Sequence, residues 1–337
     1  MKALVYTAPG QVQVQEVPPP QPMPGRVVVR VEATGICGSD VAGFLGQSSR
    51  RRPPLILGHE VVGRIEDPSD APGLRAGQRV VVNPLQTCGI CPACRAEQDN
   101  QCLSWRLLGM DEEQGGFAEL VQVDARNVFP IPDDMPLEAA AMVEPAANTV
   151  HVLRMLQERQ PETLLIIGGG AQGILALLLA RRQGIRRIAV VERDEVRRNL
   201  ILEMYPEAVL DPLRVDVPSA ASLWSGGGAD AVLEAVGTSE TRSWAVTSVR
   251  NGGLVILLGL HESESPLHFA WVVRREITLQ GSFAYTRRDF AASLEILMSG
   301  QLDCRRFVRT RPLSEGQRAF EWAVRGTGAV LKLLLVP

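Results

Sequence analysis

The chain is short of lysine, of long apolar runs and of any excess of one charge. Lys2 and Lys332 are its only lysines, so nearly all of its 35 basic residues are arginine. A GC-rich genome would explain that bias as well as thermal adaptation would, and no function follows from it. The 35 bases are balanced by 38 acids to a net charge of −3, which offers nucleic acid or an anionic membrane no electrostatic footprint. The longest apolar run, residues 174–180, is far shorter than the roughly 20 residues that span a bilayer. The N-terminus lacks a basic head, an apolar core and a small-residue cleavage site. These absences give the expectation of a soluble cytoplasmic protein with no nucleic-acid or membrane partner. Internal repeats and low-complexity segments are also missing.

What is present is enough chain for two cores: 337 residues, 45% apolar and 22% charged, an ordinary globular balance. To about residue 130, short β-branched runs alternate with Pro and Gly. Residues 3–6, 12–16, 26–33, 61–66, 79–82 and 118–123 read as strands of an irregular all-β body. The proline-rich stretch 18–24 reads as a stiff surface connection. From about residue 145 the texture changes. Residues 163–167, 188–192, 230–234, 254–259 and 277–281 read as buried strands, with helices over 171–183, 194–204 and 240–249 between them. That is the βαβ rhythm of a doubly wound parallel sheet. A helix over 287–299 and short runs at 307–311 and 330–336 read as a return to the first domain. The expected division is 1–144, 145–281 and 282–337, an α/β protein overall.

Cys88, Cys91, Cys94 and Cys102 form C-x2-C-x2-C-x7-C. Four thiolates so close can enclose a tetrahedral Zn²⁺ with no open position, so the lobe at about 84–105 is structural. Two disulfides in an exported protein are the alternative, and the missing leader argues against them.

The strand at 163–167 runs directly into Gly168-Gly169-Gly170-Ala171-Gln172-Gly173 and then an apolar helix. This is G-x-G-x-x-G in the strand-to-helix context that dinucleotide binding requires. Gly168 allows the turn, Gly170 close approach of a pyrophosphate, and Gly173 contact between helix and sheet, with the phosphates at the helix N-terminus. Glu192 ends the second strand. A carboxylate there accepts the ribose hydroxyls and repels a 2′-phosphate, which favours NAD(H) over NADP(H). Arg193 beside it pulls the other way. Ala171, Gln172, Gly237 and Gly259 complete the candidate cofactor set.

Potential metal ligands lie outside the four-cysteine lobe in Gly35-Ile36-Cys37-Gly38-Ser39-Asp40, in Gly58-His59-Glu60 and in Glu144-Pro145. One thiolate, one imidazole and two carboxylates suit a Zn²⁺ with an exchangeable position. Taken in order, these segments, the cysteine cluster and the glycine turn resemble the zinc-dependent medium-chain dehydrogenases. Glu144-Pro145 points to the polyol branch, which includes sorbitol, threonine and galactitol-1-phosphate dehydrogenases. The resemblance covers essentially the whole chain. It implies a GroES-like catalytic domain built from both chain ends, an inserted Rossmann domain, and metal and cofactor meeting in the cleft between them.

Carried over residue by residue, the resemblance makes Cys37 and His59 ligands of a catalytic zinc. Glu60 would be a ligand that binds or leaves the metal, and Glu144 would bind it directly or through water. Ser39 would remove the substrate proton and Asp40 would orient His59. The implied reaction interconverts a secondary alcohol of a polyol, sugar or sugar phosphate and its ketone, with zinc acidifying the alcohol and hydride passing to nicotinamide. Physiological ketone reduction on a phosphorylated sugar with NADPH is an alternative, as is a non-catalytic nucleotide-binding relative. A homo-oligomer, tetramer before dimer, is implied by resemblance alone.

Many relatives place a His five residues after the zinc Cys as a proton relay; here Ala42 stands there. His151 and His261 match no relay position. Arg50-Arg51-Arg52 reads either as a solvated basic loop or as a sugar-phosphate clamp. Trp105 and Phe117 read as pocket wall or as core, and Cys304 as an inert thiol.

Overall fold

Along the strand Arg26–Gly35, Val27, Val29 and Val31 are buried on one face, as the two-residue repeat of a strand dictates. They pack with Val61, Ile65, Val80, Val82, Val121 and Val123 into one apolar cluster. A computed structural model describes residues 1–303 and 305–337; Cys304 lies outside the described residues. The described chain divides into two units, Met1–Glu144 with Thr286–Pro337, and Pro145–Tyr285.

In the first unit the largest sheet runs Val128–Pro130, Arg79–Val82, Glu60–Asp67, Arg26–Gly35, Lys332–Val336 and Val308–Pro312, with Leu120–Asp124 also paired to Arg26–Gly35. The last strand of the chain meets Arg26–Gly35 antiparallel, with Leu334 opposite Gly35 and Leu335 opposite Thr34. This register brings Lys332 to the end of the strand that leads into Cys37. A second cluster contains Leu4, Tyr6, Phe44, Leu57, Phe117 and Phe320. Phe320 stacks on Phe44 with 5.0 Å between ring centroids and meets Phe117 edge-on. Phe117 is therefore core. Phe320 belongs to the helix Gly316–Arg325, which the strand-like texture around it gave no reason to expect.

The second unit holds a six-stranded parallel sheet ordered Ala208–Leu210, Arg187–Val191, Thr163–Ile167, Ala229–Glu234, Val249–Leu257 and Thr278–Gly281. Numbered along the chain this is 3-2-1-4-5-6, the Rossmann order. Every residue of Thr163–Ile167 is buried, as expected for a strand covered on both faces. The glycine turn leaves its carboxyl end, where such sheets bind nucleotides.

Candidate functional site

The four-cysteine lobe is held by local backbone. Pro92 opens the short helix Pro92–Arg95 with Cys91 as its N-cap. The N–H groups of Cys88 and Cys91 point at the sulfurs of Cys102 and Cys88, each at 3.4 Å. Cys91 and Cys94 Sγ are 3.5 Å apart, Cys102 and Cys88 Sγ 3.6 Å, and Cys88 and Cys94 Sγ 3.9 Å. None of these pairs is near the ~2 Å of a disulfide. Backbone N–H groups of Ile90 and Cys91 draw the Cys88 thiol down to about 6, while burial and neighbouring thiols push Cys94 up to about 12. Four sulfurs this close resist ionising together, and a soft divalent cation removes the conflict. The donor set fits zinc.

The second group is assembled from separate segments. Cys37 is the N-cap of the helix Gly38–Phe44, and Asp40 closes its first turn by accepting the Cys37 N–H at 3.0 Å. This cap sets Ser39 one residue from the buttress and two from the thiol. Asp40 is fully buried. Its other oxygen accepts the Gly58 N–H at 3.3 Å and stands 3.4 Å from His59 Nδ1 and 3.7 Å from Arg51 Nε. Burial alone would raise the Asp40 carboxyl; His59 and then Arg51 outweigh it and hold it at about 2. A carboxylate on Nδ1 leaves Nε2 as the nitrogen for a metal.

The ligating atoms of Cys37, His59 and Glu60 lie within 4.8 Å of one another. Glu60 Oε1 accepts from Lys332 Nζ, while Glu60 Oε2 is buried with no hydrogen-bond partner. A buried carboxylate oxygen left over beside a thiol and an imidazole is what a divalent cation satisfies. Zinc fits here as well. Glu144 falls outside that three-residue group. It is buried in the first turn of the helix Val143–Gln157, and its charge acts on Lys332.

The arginine run is not one patch. Arg50 pairs with Asp111 at 2.5 Å and lies 3.9 Å over the ring of Trp105. Arg52 is exposed and bonds the Ser49 carbonyl. Arg51 is buried and donates to Ser39 Oγ at 3.1 Å. Sequence reasoning missed both Arg51 and Lys332 as members of the site. The one signal for Lys332 was its rarity, and for Arg51 none beyond its charged neighbours. His151 is buried, with Nδ1 2.9 Å from Arg154 of its own helix, and His261 is exposed.

In the second unit the turn after Thr163–Ile167 is built on close approach. Gly168 has φ +104°, and a Cβ on Gly173 would lie 1.8 Å from the Gly168 carbonyl oxygen, so only glycine fits there. Gly170 caps the helix Ala171–Arg182 and has open space where a side chain would project. Glu192 is buried, accepting the Gly169 N–H and the Asp194 N–H at 2.8 Å each. Arg193 is exposed. The Gln172 amide is held by Thr149 and the Pro145 carbonyl. Gly237 and Gly259 meet backbone to backbone, and a Cβ on either would come within 2.3 Å of the other.

Residues 23–133 match the alcohol dehydrogenase GroES-like domain, and residues 171–299 match the zinc-binding dehydrogenase family. L-idonate 5-dehydrogenase of Vitis vinifera is 32% identical, over 91% of this chain and 87% of that protein. Sorbitol dehydrogenase of Bacillus subtilis is 29% identical over 100% of this chain and 97% of its own. A zinc-binding dehydrogenase of Sinorhizobium meliloti, solved bound to NADP, superposes with a TM-score of 0.90 at 30% identity, covering 100% of this chain and 99% of that one.

Proposed function

The chain belongs to the zinc-dependent medium-chain alcohol dehydrogenases, in their polyol branch, and from that membership we propose the residues and substrate of its reaction. It is an oxidoreductase that interconverts an alcohol and its ketone with zinc and a nicotinamide cofactor. Our reading is that the substrate is a secondary alcohol of a polyol, sugar or sugar acid, which the names of the L-idonate and sorbitol relatives support. The observation that carries the reading is the group of half-buried Cys37 with buried His59 and Glu60, with Ser39 two residues along the chain from Cys37.

Cys37, His59 and Glu60 would hold the catalytic zinc, with Glu144, whose charge acts on Lys332, the further candidate carboxylate. Cys88, Cys91, Cys94 and Cys102 would hold a second, structural zinc. A zinc held by the first group would supply the Lewis acidity that eases removal of a substrate hydroxyl proton. Ser39 receives that proton. Asp40, fixed by the Cys37 and Gly58 N–H groups, orients the His59 ring. Lys332 holds one oxygen of Glu60 and offsets its charge. In the second unit the Gly168 to Gly173 turn would take the pyrophosphate, and Glu192 would accept the adenosine ribose hydroxyls, which favours NAD(H) over NADP(H). Among the described residues no helix is long and apolar enough to cross a membrane. We place the protein in the cytoplasm as a homo-oligomer, tetramer before dimer.

The test is a panel of polyols, sugar acids, sugar phosphates and simple secondary alcohols, read as NADH or NADPH absorbance on zinc-replete protein and on Cys37→Ala. Turnover of one substrate class with NAD, lost in Cys37→Ala, is the expected result. No turnover of any alcohol by protein that binds NAD and zinc would overturn the polyol assignment.

A further inference from the structure

Of the three consecutive arginines only Arg51 turns inward, and its side chain is 3% exposed. A buried guanidinium is costly to desolvate and persists where its donors are used. The surroundings are shaped to admit it. A Cβ on Gly43, in the helix that carries Ser39, would lie 2.5 Å from Arg51 Cδ, and Ser48 Oγ accepts the Arg51 backbone N–H at 3.3 Å. The planar head then faces two adjacent residues. Nη2 donates to Ser39 Oγ at 3.1 Å, and Nε faces Asp40 Oδ1 at 3.7 Å with no hydrogen-bond partner of its own. The same Asp40 oxygen faces His59 Nδ1.

We propose that Arg51 is a positioning residue for the dehydrogenase reaction, fixing the Ser39 hydroxyl for proton acceptance and bracing Asp40 behind His59. The inference rests on reading Ser39 as the proton acceptor and His59 as a zinc ligand. A free seryl hydroxyl rotates among three wells. With one lone pair of Oγ taken by Arg51, the rotor is fixed, the other lone pair is left to receive a proton, and the hydroxyl keeps its own hydrogen to pass on. The substrate proton arrives on Oγ as the original hydroxyl proton departs to water. Ser39 ends as it began, and Arg51 serves only as a hydrogen-bond donor. Ala42 puts no imidazole on this helix to share the task. On the Asp40 side, an imidazole bound to metal is neutral, so Arg51 is then the cation that faces this buried carboxylate.

The test uses zinc-loaded Arg51→Met and Arg51→Lys, each also in a Ser39→Ala background, with sorbitol and 2,3-butanediol as probe alcohols and NAD as cofactor. Two readouts are taken, kcat against KM and the rate of zinc loss to EDTA. Arg51→Met is expected to lower kcat about 100-fold, the lower range of proton-transfer contributions, with the KM for NAD unchanged. Zinc loss is expected to speed up about 10-fold, as when a residue behind a ligand is removed. Arg51→Lys should recover most of both. In the Ser39→Ala background, Arg51→Met should cost kcat less than about 3-fold, because the hydroxyl it positions is gone. Wild-type kcat and zinc retention in Arg51→Met would overturn the proposal, as would an undiminished kcat loss in the Ser39→Ala background. Full activity of Ser39→Ala alone would overturn the proton-acceptor reading and this proposal with it, a pattern distinct from the other two. Should Arg51→Met fail to fold, Arg51→Gln, uncharged but polar, carries the same comparison.

Discussion

Lys332 Nζ stands 2.5 Å from Glu60 Oε1, and the two side chains are 4% and 1% exposed. The same ammonium donates to the Ile36 carbonyl at 3.3 Å. Burial would lower the Lys332 pKa, but the charge of Glu60, followed by that of Cys37, holds it raised. Gly35 leaves the space this pair needs, since a Cβ there would lie 1.9 Å from Glu60 Oε2. Removing one partner strands a charge in the interior. Lys332→Met should therefore cost about 3–5 kcal/mol of stability, measured by urea unfolding. The double variant Glu60→Gln with Lys332→Met should recover much of that loss, because no uncompensated charge remains. A single variant as stable as wild type would show that water already solvates Glu60.

The two sulfur-containing groups predict separable metal losses. Wild-type protein is expected to carry about two zinc ions per chain, and Cys102→Ser about one, by atomic absorption. Cys37→Ser should lose the other ion and all turnover while keeping the lobe folded. Equal zinc content in Cys102→Ser and wild type would break the four-thiolate assignment.

Glu192 has two tasks that can be separated. Its Oε2 accepts the Gly169 N–H that shapes the turn, while its charge would disfavour a 2′-phosphate. Glu192→Gln keeps one acceptor, for Gly169, gives up the bond from the Asp194 N–H and removes the charge. The preference for NAD over NADP, measured as a ratio of kcat/KM, should fall by about 10-fold or more. The turn should stay folded, with the melting temperature lowered only by the lost Asp194 N–H bond. A preference that does not move would place discrimination elsewhere, with exposed Arg193 the next residue to change.

What the sequence discloses follows how local the determinants are. The cysteine lobe lies within residues 88–102 and the glycine turn within 168–173, so spacing alone indicates both chemistries. Cys37 and Asp40 share one helix cap, yet their segment is unremarkable by itself, and their roles are implied only by the resemblance of the whole ordered motif set. Lys332 and Glu60 are 272 positions apart, and only the pairing of the last strand with Arg26–Gly35 brings them together. Arg51 was hidden by its neighbours, because three like charges in a row read as solvated surface until Gly43 is seen to make room for the middle one. Phe117 could be pocket or core from sequence alone; its contacts with Leu57 and Phe320 come from distant segments.

Asp230 gives the second unit an acid-sensitive stability. Its Oδ2 accepts from the Glu162 N–H, the Thr163 N–H and the Thr163 hydroxyl, and its Oδ1 accepts from Arg250 Nε at 2.6 Å. These bonds tie the start of Ala229–Glu234 to the start of the central strand. Burial would raise the carboxyl above its ordinary 3.8; the Arg250 hydrogen bond and those from Thr163 outweigh it and lower the pKa. With the folded value depressed, the unfolded chain binds the proton more readily. The stabilisation is therefore complete well above pH 3.8 and is lost as pH falls through the lower, folded value. Arg250 is half exposed, so its ion pair contributes little; the N–H and hydroxyl donors carry most of the effect. Asp230→Asn should cost about 1–3 kcal/mol at neutral pH, since an amide does not accept from Arg250 and the Thr163 donors together. That gap between wild type and variant, measured by urea unfolding from pH 7 downward, should hold while the pH is well above 3.8 and close as the pH falls through the lowered, folded value. A gap that stays constant across the range would assign the effect to packing rather than to the carboxylate charge.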